Sequence, residues 1–279
     1  MTNYKNSRGE HQARKRFGQN FLHDQNIIDK IIRAINPKTD QNIIEIGPGQ
    51  GALTYPLLTS LGKLNAVEID RDLIAILTQQ SPAYGELIIH EGDALKYNFQ
   101  QLADTINAQS ENTTQQKCRL VGNLPYNIST PIIFHLLEFL DVIDDMHFML
   151  QKEVVQRMAA EPNSKTYGRL SVMLQWYCDV DYLFDIPASA FNPPPKVVST
   201  LVRLTPKEKP LAKLNSQVQF SRLVNRVFQQ RRKTLRNTLK NYISEADIQS
   251  LGISPTARPE TLSLLDFASL SNAIQAEII

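Results

Sequence analysis

The alternation of apolar strand patterns with helical patterns constrains the fold of this chain more than any other feature. Short apolar runs alternate with segments in which apolar residues recur every three or four positions. Such alternation predicts an α/β fold built on a mostly parallel, doubly wound sheet. A polar segment at 104–117 is predicted as a solvated loop with at most a fraying helix end. The predicted strands are 42–46, 64–69, 87–90, 118–121, 147–150, 182–186 and 197–204, and the predicted helices are 26–35, 52–61, 71–80, 130–139, 151–159 and 168–176.

The chain changes character after Pro206. Pro206 and Pro210 enclose a charged linker, and every later segment has helical periodicity. We therefore predict an α/β domain over residues 1–205, with a basic arm at about 1–20, and a small all-helical domain over residues 206–279. The helices of this second domain are predicted at 218–242, 244–251 and 263–276.

A glycine-rich turn, Gly47-Pro48-Gly49-Gln50-Gly51, joins the first strand of the alternation to a helix. In a doubly wound sheet, ligands bind where the strands end. Glycine lets the backbone approach a ligand closely because it has no Cβ atom. The spacing differs from the G-x-G-x-x-G of a dinucleotide site, and a tight connection that binds no ligand would explain the turn alone.

Two carboxylates at the ends of the next strands narrow the choice of ligand. Glu68 ends the second strand, where it can accept hydrogen bonds from both hydroxyls of a ribose, and Asp93 follows the third, within reach of an adenine amine. Helix capping would explain Asp93 alone, but it explains poorly why three successive strand ends carry Gly, Glu and Asp. The chain has no Gly-Lys-Ser/Thr phosphate loop. S-adenosylmethionine, which has a ribose and an adenine but no phosphates, fits these residues.

The sequence Asn123-Leu124-Pro125-Tyr126 directly follows the fourth strand. It offers an amide oxygen, a backbone carbonyl whose direction Pro125 helps to fix, and an aromatic face. We predict that Asn123 and the Leu124 carbonyl hold the exocyclic amine of a flat base while Tyr126 stacks on that base. This set suits methyl transfer to the N6 amine of an adenine that is unpaired or flipped. The alternative is a strand-to-helix turn in which Tyr126 only covers the core.

Aromatic and basic residues elsewhere complete the predicted nucleic-acid site. Phe191 precedes three prolines and is either a second stacking surface or a core anchor. Between residues 203 and 240 basic side chains are frequent and Glu208 is the only acid, which favours phosphate contacts over a solvated helix face. The candidate phosphate-contacting residues are Arg222, Arg226, Arg231, Arg232, Lys233 and Arg236, and Arg8, Arg14, Lys15 and Arg16 of the arm could add to them.

Composition disfavours several other classes of protein. The net charge of the 279 residues is only +2, so the basic surface is a local feature. No apolar run is long enough to cross a membrane, and residues 1–16 lack the apolar segment of a secretory signal. Cys118 and Cys178 have no Cys or His at metal-binding spacing, so we predict buried, reduced thiols in a cytoplasmic protein and no metal site. No apolar dimer stripe is evident, and we expect a monomer.

Together these residues closely resemble the rRNA adenine dimethyltransferase family, and in particular its bacterial KsgA/RsmA branch. The resemblance extends over residues 15–273, and the Asn-Leu-Pro-Tyr and Phe-x-Pro-Pro-Pro-Lys-Val motifs are its most specific parts. The matching segments are 18–22, 45–51, 67–70, 92–95, 123–126, 150–155, 167–172, 191–197 and 231–239.

The resemblance implies a Rossmann-like class I S-adenosylmethionine-dependent methyltransferase sheet. It implies dimethylation of two adjacent adenosines in a hairpin near the 3′ end of 16S rRNA, within the assembling small ribosomal subunit. The residues expected to contact S-adenosylmethionine are Asn20, Leu22, Gly47, Glu68, Asp93 and Asn123, together with Gly49 of the glycine turn.

Other interpretations stay open at this point. The chain could be an RNA-binding assembly factor in which methylation is secondary, or an Erm-type enzyme that modifies large-subunit rRNA. A nicotinamide-dependent oxidoreductase would share the glycine turn and Glu68, but it leaves the Asn-Leu-Pro-Tyr motif and the basic segment unexplained. A DNA adenine methyltransferase would use closely related chemistry, but such enzymes usually carry Asp or Asn before Pro-Pro-Tyr or Pro-Pro-Phe.

Overall fold

A computed structural model describes residues 20–109, 115–275 and 278 of the chain. The predicted basic arm lies outside these residues, apart from Asn20. The described residues form two compact units, one comprising those up to Val155 with 181–206, the other comprising 156–180 with those from Lys207 onward. The prediction divided the chain at 205/206, whereas the structure groups the segment 156–180 with the C-terminal helices.

A seven-stranded sheet forms the centre of the first unit and confirms the predicted α/β class. Two further strands, β1 (Phe21–Leu22) and β8 (Phe191–Asn192), form a short antiparallel pair that the sequence did not predict. The strands of the large sheet are β2 (Asn42–Ile46), β3 (Lys63–Glu68), β4 (Glu86–Glu91), β5 (Cys118–Asn123), β6 (Ile143–Gln151), β7 (Cys178–Ile186) and β9 (Ser199–Pro206).

The order of the strands, β4-β3-β2-β5-β6-β9-β7, places a topological switch point between β2 and β5. Strands β2 to β6 pair in parallel, and β9 pairs antiparallel with β6. In open α/β sheets ligands bind at such a point, outside the carboxyl ends of the strands. The topology therefore predicts a site above Ile46 and Asn123.

Six helices accompany this sheet among the described residues. Asp24 caps the first, which buries Ile28, Ile31 and Ile35 and ends at Asn36 in the left-handed region. Helix α4 was not predicted from its start at Phe99, and its last residues, up to Ala108, are the helix end that the prediction allowed within 104–117. The helices are α1 (Gln25–Ile35), α2 (Thr54–Leu61), α3 (Arg71–Gln80), α4 (Phe99–Ala108), α5 (Ser129–Leu136) and α6 (Lys152–Met158).

The second unit is helical. The single helix predicted at 218–242 is wrong, because α8 ends at Gln229 and α9 begins only at Leu235. The backbone N–H groups of Leu235 and Arg236 donate to the carbonyls of Ala257 and Pro255, so a neighbouring loop replaces the helical hydrogen bonds there. Its helices are α7 (Arg169–Tyr177), α8 (Gln217–Gln229), α9 (Leu235–Leu239), α10 (Glu245–Ser250) and α11 (Leu264–Ala273).

Two expectations from composition can be compared with the described residues. None of the helices in this part of the chain is both long and apolar enough to span a membrane. Cys118 and Cys178 are buried free thiols, as predicted, and burial raises the pKa of each to about 12. Neither cysteine is therefore a thiolate at neutral pH.

Candidate active site

A cavity of about 280 Å³ lies at the carboxyl ends of β2, β3 and β5. Its lining comes from segments far apart in the sequence, including the start of the described chain, the glycine turn and the loop after β5. The predicted site residues that line it are Asn20, Leu22, Gly47, Gly49, Glu68, Asp93, Asn123, Leu124, Pro125 and Tyr126. The fold thus brings together the predicted cofactor residues and the predicted catalytic loop in one place.

The glycine turn leaves open space where side chains would otherwise project. Gly47 has φ +68°, donates its N–H to the Val67 carbonyl at 2.9 Å, and would have no heavy atom within 4 Å of an added Cβ. Gly49 has φ +59°, and a Cβ there would lie 3.4 Å from the ring of Phe21. Both conformations strongly favour glycine. Gly47 therefore contributes an uncovered stretch of backbone that a ligand can approach.

Glu68 is held rigidly at the end of β3 with 6% of its surface exposed. Its Oε1 accepts from the N–H groups of Ile69 (2.8 Å) and Asp70 (2.9 Å), and its Oε2 lies 3.4 Å from the Gly49 N–H. Burial raises the pKa of Glu68, and these hydrogen bonds oppose that shift. A carboxylate fixed in this way still has lone pairs for the hydroxyls of a ribose.

Asp93 and its neighbours form a second side of the cavity. Asp93 Oδ1 accepts from the Leu95 N–H at 3.0 Å, which fixes the orientation of the carboxylate. Ile69 lines the cavity with 47% of its surface exposed, and Leu95 lines it as well. Apolar side chains beside a carboxylate suit a flat, amine-bearing base.

Asn123 is the polar end of β5, beside the glycine turn. Its Nδ2 donates to the backbone carbonyl of Asn20 at 2.9 Å, and this bond determines which way the amide faces. Among the described residues, no other hydrogen bond involves this side-chain amide, so Oδ1 remains as an acceptor at the cavity. The side-chain oxygen that was predicted to accept from an exocyclic amine therefore belongs to a residue that lines the cavity, and it has no hydrogen-bond partner among the described residues.

The loop after Asn123 is closed as a turn. The Pro125 carbonyl accepts from the Ile128 N–H at 3.1 Å, and the Tyr126 carbonyl accepts from Ser129 Oγ at 3.1 Å. The Leu124 side chain is buried and anchors the loop. Tyr126 is partly buried, which raises the pKa of its phenol. Its ring is thus a neutral aromatic surface at the cavity.

Phe191 does not lie where a stacking role requires it. Its side chain is 2% exposed and packs in a core cluster that includes Leu22 and Ile28, and it does not line the cavity. The antiparallel pairing of β8 with β1, in which Phe191 is opposite Leu22, holds it there. In this arrangement Phe191 is the core anchor of the two alternatives, which corrects its inclusion among the catalytic candidates.

Glu45 is a cavity residue that the prediction of site residues missed. It is 2% exposed, and its Oε2 accepts from Thr54 Oγ1 at 2.7 Å. Burial raises the pKa of Glu45 to about 8, with a smaller contribution from the nearby Glu68. Its place among Ile43, Ile44 and Ile46 in the strand Asn42–Ile46, just before the glycine turn, was the feature that could have revealed it.

The predicted RNA-contacting residues lie on α8, on the turn after it and on α9. Arg222, Arg232, Lys233 and Arg236 are exposed. Arg226 is partly buried, with its guanidinium carbon 5.6 Å from the centre of the Tyr242 ring.

The expectation that no acid compensates this basic segment is wrong for Arg231. Its Nε lies 3.3 Å from Glu260 Oε2, and its Nη2 donates to the Ser164 carbonyl at 3.4 Å. Glu260 lies outside residues 203–240, the segment in which Glu208 is the only acid. Within the described residues, no group of three or more His, Cys, Asp or Glu side chains is placed to hold a metal ion.

Comparisons of sequence agree with this geometry. The family model for ribosomal RNA adenine dimethylase matches residues 10–276. The chain is 56% identical over 263 residues to the ribosomal RNA small subunit methyltransferase A of Acinetobacter baylyi, covering 94% of this chain and 92% of that protein. It is 51% identical over 265 residues to the protein of the same name from Pseudomonas aeruginosa, covering 95% and 96% respectively.

Two solved structures of other transferases share this architecture. A dimethyladenosine transferase from Plasmodium falciparum superimposes with a TM-score of 0.71 and 27% identity, over 90% of this chain and 95% of that one. The 23S rRNA methyltransferase ErmE has a TM-score of 0.67 and 21% identity, over 92% and 100% respectively. At that identity the second comparison shows the fold alone.

Proposed function

The chain belongs to the ribosomal RNA adenine dimethylase family, and we propose that it dimethylates the N6 amines of two adjacent adenosines in small-subunit rRNA. The methyl donor is S-adenosylmethionine, whose sulfonium carries an electrophilic methyl group. We place the adenosines in a hairpin near the 3′ end of 16S rRNA, within the assembling small subunit.

The orientation of Asn123 carries this proposal. Its Nδ2 is engaged by Asn20, so its Oδ1 is presented to the same cavity that Gly47 and Glu68 line. An acceptor at that point binds an amine N–H and aligns the nitrogen lone pair. The N6 lone pair of adenine is delocalised into the ring, so positioning is the largest contribution that the protein can make to its reactivity.

The other cavity residues fit the methyl donor. Uncovered backbone at Gly47 admits the donor closely, Gly49 lines the cavity beside it, and Glu68 accepts from the ribose hydroxyls of the donor. Asp93 accepts from its adenine amine, with Ile69 beside the ring. Asn20 and Leu22 complete the lining from the N-terminal side.

In the transfer itself, we assign Asn123 Oδ1 and the Leu124 carbonyl to the target amine. Pro125 keeps the loop in its bent path, and the Tyr126 ring stacks on the base and stabilises the positive charge that develops on the nitrogen. The methylated amine loses its proton to water, so no strong base is required. A second round at the same nitrogen uses the same contacts.

We further propose that the basic side chains of the helical unit contact rRNA phosphates and that the enzyme acts as a monomer in the cytoplasm, where small subunits assemble. The exposed positions Arg222, Arg232, Lys233 and Arg236 support such contacts. The Erm-type alternative is less favoured, since the relatives at 51–56% identity carry the small-subunit name.

The direct test is methyl incorporation by an Asn123→Ala variant. Loss of one positioned hydrogen-bonding group typically costs about a hundredfold to a thousandfold in kcat, and we expect a loss of that size. Incorporation of labelled methyl groups would be measured on small and on large subunits from cells that lack this chain. Circular dichroism would verify that the variant is folded.

Asn26→Ala is the matched control, because Asn26 is exposed on α1 and does not line the cavity. We expect the control to methylate small subunits at the rate of the unaltered enzyme. Equal rates for Asn123→Ala and Asn26→Ala would overturn the proposed loop chemistry. Incorporation into large subunits alone would favour the Erm-type alternative.

A further inference from the structure

The hydroxyl of Tyr126 is hydrogen-bonded to Ser199, a residue that the sequence did not single out. Tyr126 Oη and Ser199 Oγ are 2.5 Å apart, although the two residues are separated by 73 positions in the sequence. Ser199 has no exposed surface. The bond joins the far end of the Tyr126 side chain to the first residue of β9, which lies at the edge of the sheet where β5 and β6 end.

The residues on both sides of Ser199 are also held in place. Ser199 itself pairs with Gln151 of β6, and the carbonyl of Val198 accepts from the Lys152 N–H at 2.9 Å. Thr200 Oγ1 donates to Asp185 Oδ1 at 2.7 Å. Asp185 in turn accepts from Lys152 Nζ at 2.6 Å and from the Tyr182 hydroxyl. Ser199 is therefore a fixed point.

We propose that Ser199 is a positioning residue that holds the Tyr126 ring in its base-stacking orientation. A tyrosine on a surface loop retains freedom about two side-chain torsions, and a hydrogen bond at its tip removes most of it. The role in catalysis rests on the proposed function, because the ring must stack on an adenine for its orientation to affect the rate. Ser199 itself touches neither substrate nor donor.

Removal of this bond is expected to lower kcat more than it changes binding of the methyl donor. In Ser199→Ala the Tyr126 ring gains alternative rotamers, so a smaller fraction of bound complexes has the base correctly placed. We expect kcat on small subunits to fall about tenfold, equivalent to about 1.4 kcal/mol. The affinity for S-adenosylmethionine, measured by calorimetry, should stay within about twofold, since the donor residues are unchanged.

Thr200→Val is the matched control for effects on stability. It removes a buried hydroxyl from the neighbouring residue of the same strand, together with its bond to Asp185, and leaves the Ser199–Tyr126 bond in place. We expect this variant to be less stable and to keep its kcat. A loss of kcat as large in Thr200→Val as in Ser199→Ala would mean that β9 acts only as a scaffold and would overturn the proposal.

A double-mutant cycle with Tyr126→Phe isolates the bond. If Ser199 acts only through the phenol, Tyr126→Phe and Ser199→Ala should reduce kcat by similar factors, and the double variant should be no slower than either. Effects that multiply in the double variant would contradict the proposal.

A measurement of ring order separates this proposal from the proposed function. With ¹³C-labelled tyrosine, the Tyr126 resonance, assigned by its absence in Tyr126→Phe, should be a single line in the unaltered protein and broadened or split in Ser199→Ala. An unchanged resonance would refute the positioning role. A changed resonance in a protein that does not methylate small subunits would leave the positioning role standing and refute the proposed function.

Discussion

The two ends of β5 carry polar side chains whose hydrogen-bonding capacity is used very differently. At the amino end, buried Arg119 donates to both carboxylate oxygens of Asp145 at 2.9 Å, and to Gln41 Oε1 and the Ile35 carbonyl at 2.8 Å. At the carboxyl end, Asn123 makes one side-chain bond, to Asn20, and faces an open cavity. Among the described residues, Arg119 near one end of the strand thus makes four side-chain hydrogen bonds, and Asn123 at the other end makes one.

This contrast separates residues that hold the fold from residues that hold a ligand. Burial alone would raise the pKa of Asp145, but the nearby His147 ring and the hydrogen bonds from Arg119 keep it below its ordinary value. The Arg119 network ties the end of α1 to β5 and β6, and Arg119 is buried and does not line the cavity. Asn123 has capacity left, and its surroundings are too open to fill it from within the protein.

The largest expected effect is the loss of stability when Arg119, at the amino end of β5, is replaced. Arg119→Met leaves Asp145 as a buried carboxylate without its guanidinium partner, and such a change typically costs about 3–5 kcal/mol. We expect the free energy of unfolding, measured by urea denaturation, to fall by about that amount. Methyl transfer per folded molecule should be retained.

Arg71→Met is the matched control for Arg119→Met. Arg71 also pairs with a carboxylate, that of Glu91, but its side chain is 82% exposed. Exposed pairs contribute about 0–1 kcal/mol, so this variant should unfold close to the unaltered protein. If the two variants lose the same stability, the burial of Arg119 and its four hydrogen bonds do not explain its role.

Glu45 offers an intermediate case, because it lines the cavity but is buried and bonded to Thr54. Its pKa in the folded protein, about 8, lies above its ordinary value of 4.5. The stabilisation of the protonated form is therefore complete below about pH 4.5 and is lost as the pH rises towards 8. Between pH 5.5 and 8 we expect the unaltered protein to lose stability relative to Glu45→Gln, by at most about 1.4 kcal/mol per pH unit.

Thermal unfolding at several pH values would check this difference. Glu86→Gln serves as the control, since Glu86 is an exposed carboxylate at the amino end of β4. Its pH profile should run parallel to that of the unaltered protein. A Glu45→Gln profile that is also parallel would mean that Glu45 is ionised in the folded protein at neutral pH.

Much of the fold could be predicted because apolar periodicity acts locally. The strand Asn42–Ile46 and the helix Arg71–Gln80 have the predicted bounds. The errors arise where distant contacts decide the structure. Helix α4 looks polar but buries Phe99, Leu102 and Ile106 against the rest of the unit, and the break before Leu235 depends on backbone acceptors twenty residues further along, at Pro255 and Ala257.

The same distinction applies to the candidate site. The meeting of Gly47, Glu68 and Asn123 at one cavity could be predicted, because each lies within two residues of the end of a predicted strand and strand ends meet at one edge of a parallel sheet. Ser199 could not be found, because only the folding of β9 beside β6 brings it to Tyr126. Phe191 was misassigned because the short β1–β8 pair that buries it has no detectable sequence pattern.

The smallest expected effect extends the comparison to the helical unit, where Arg231 and Arg232 are neighbours in sequence but not in role. Arg231 is engaged by Glu260 and the Ser164 carbonyl, whereas Arg232 is exposed and has no carboxylate within salt-bridge distance among the described residues. Suppose that residues bind a partner when their side-chain donors are not used within the protein. Arg232→Gln should then reduce the slope of log affinity for small subunits against log salt by about 1, with unchanged stability. Arg231→Gln should instead lower the unfolding temperature. The reverse pattern, in which only Arg231→Gln changes the salt slope, would contradict the idea that side chains with unused hydrogen-bonding groups are the ones that bind. That idea comes from the comparison of the two ends of β5.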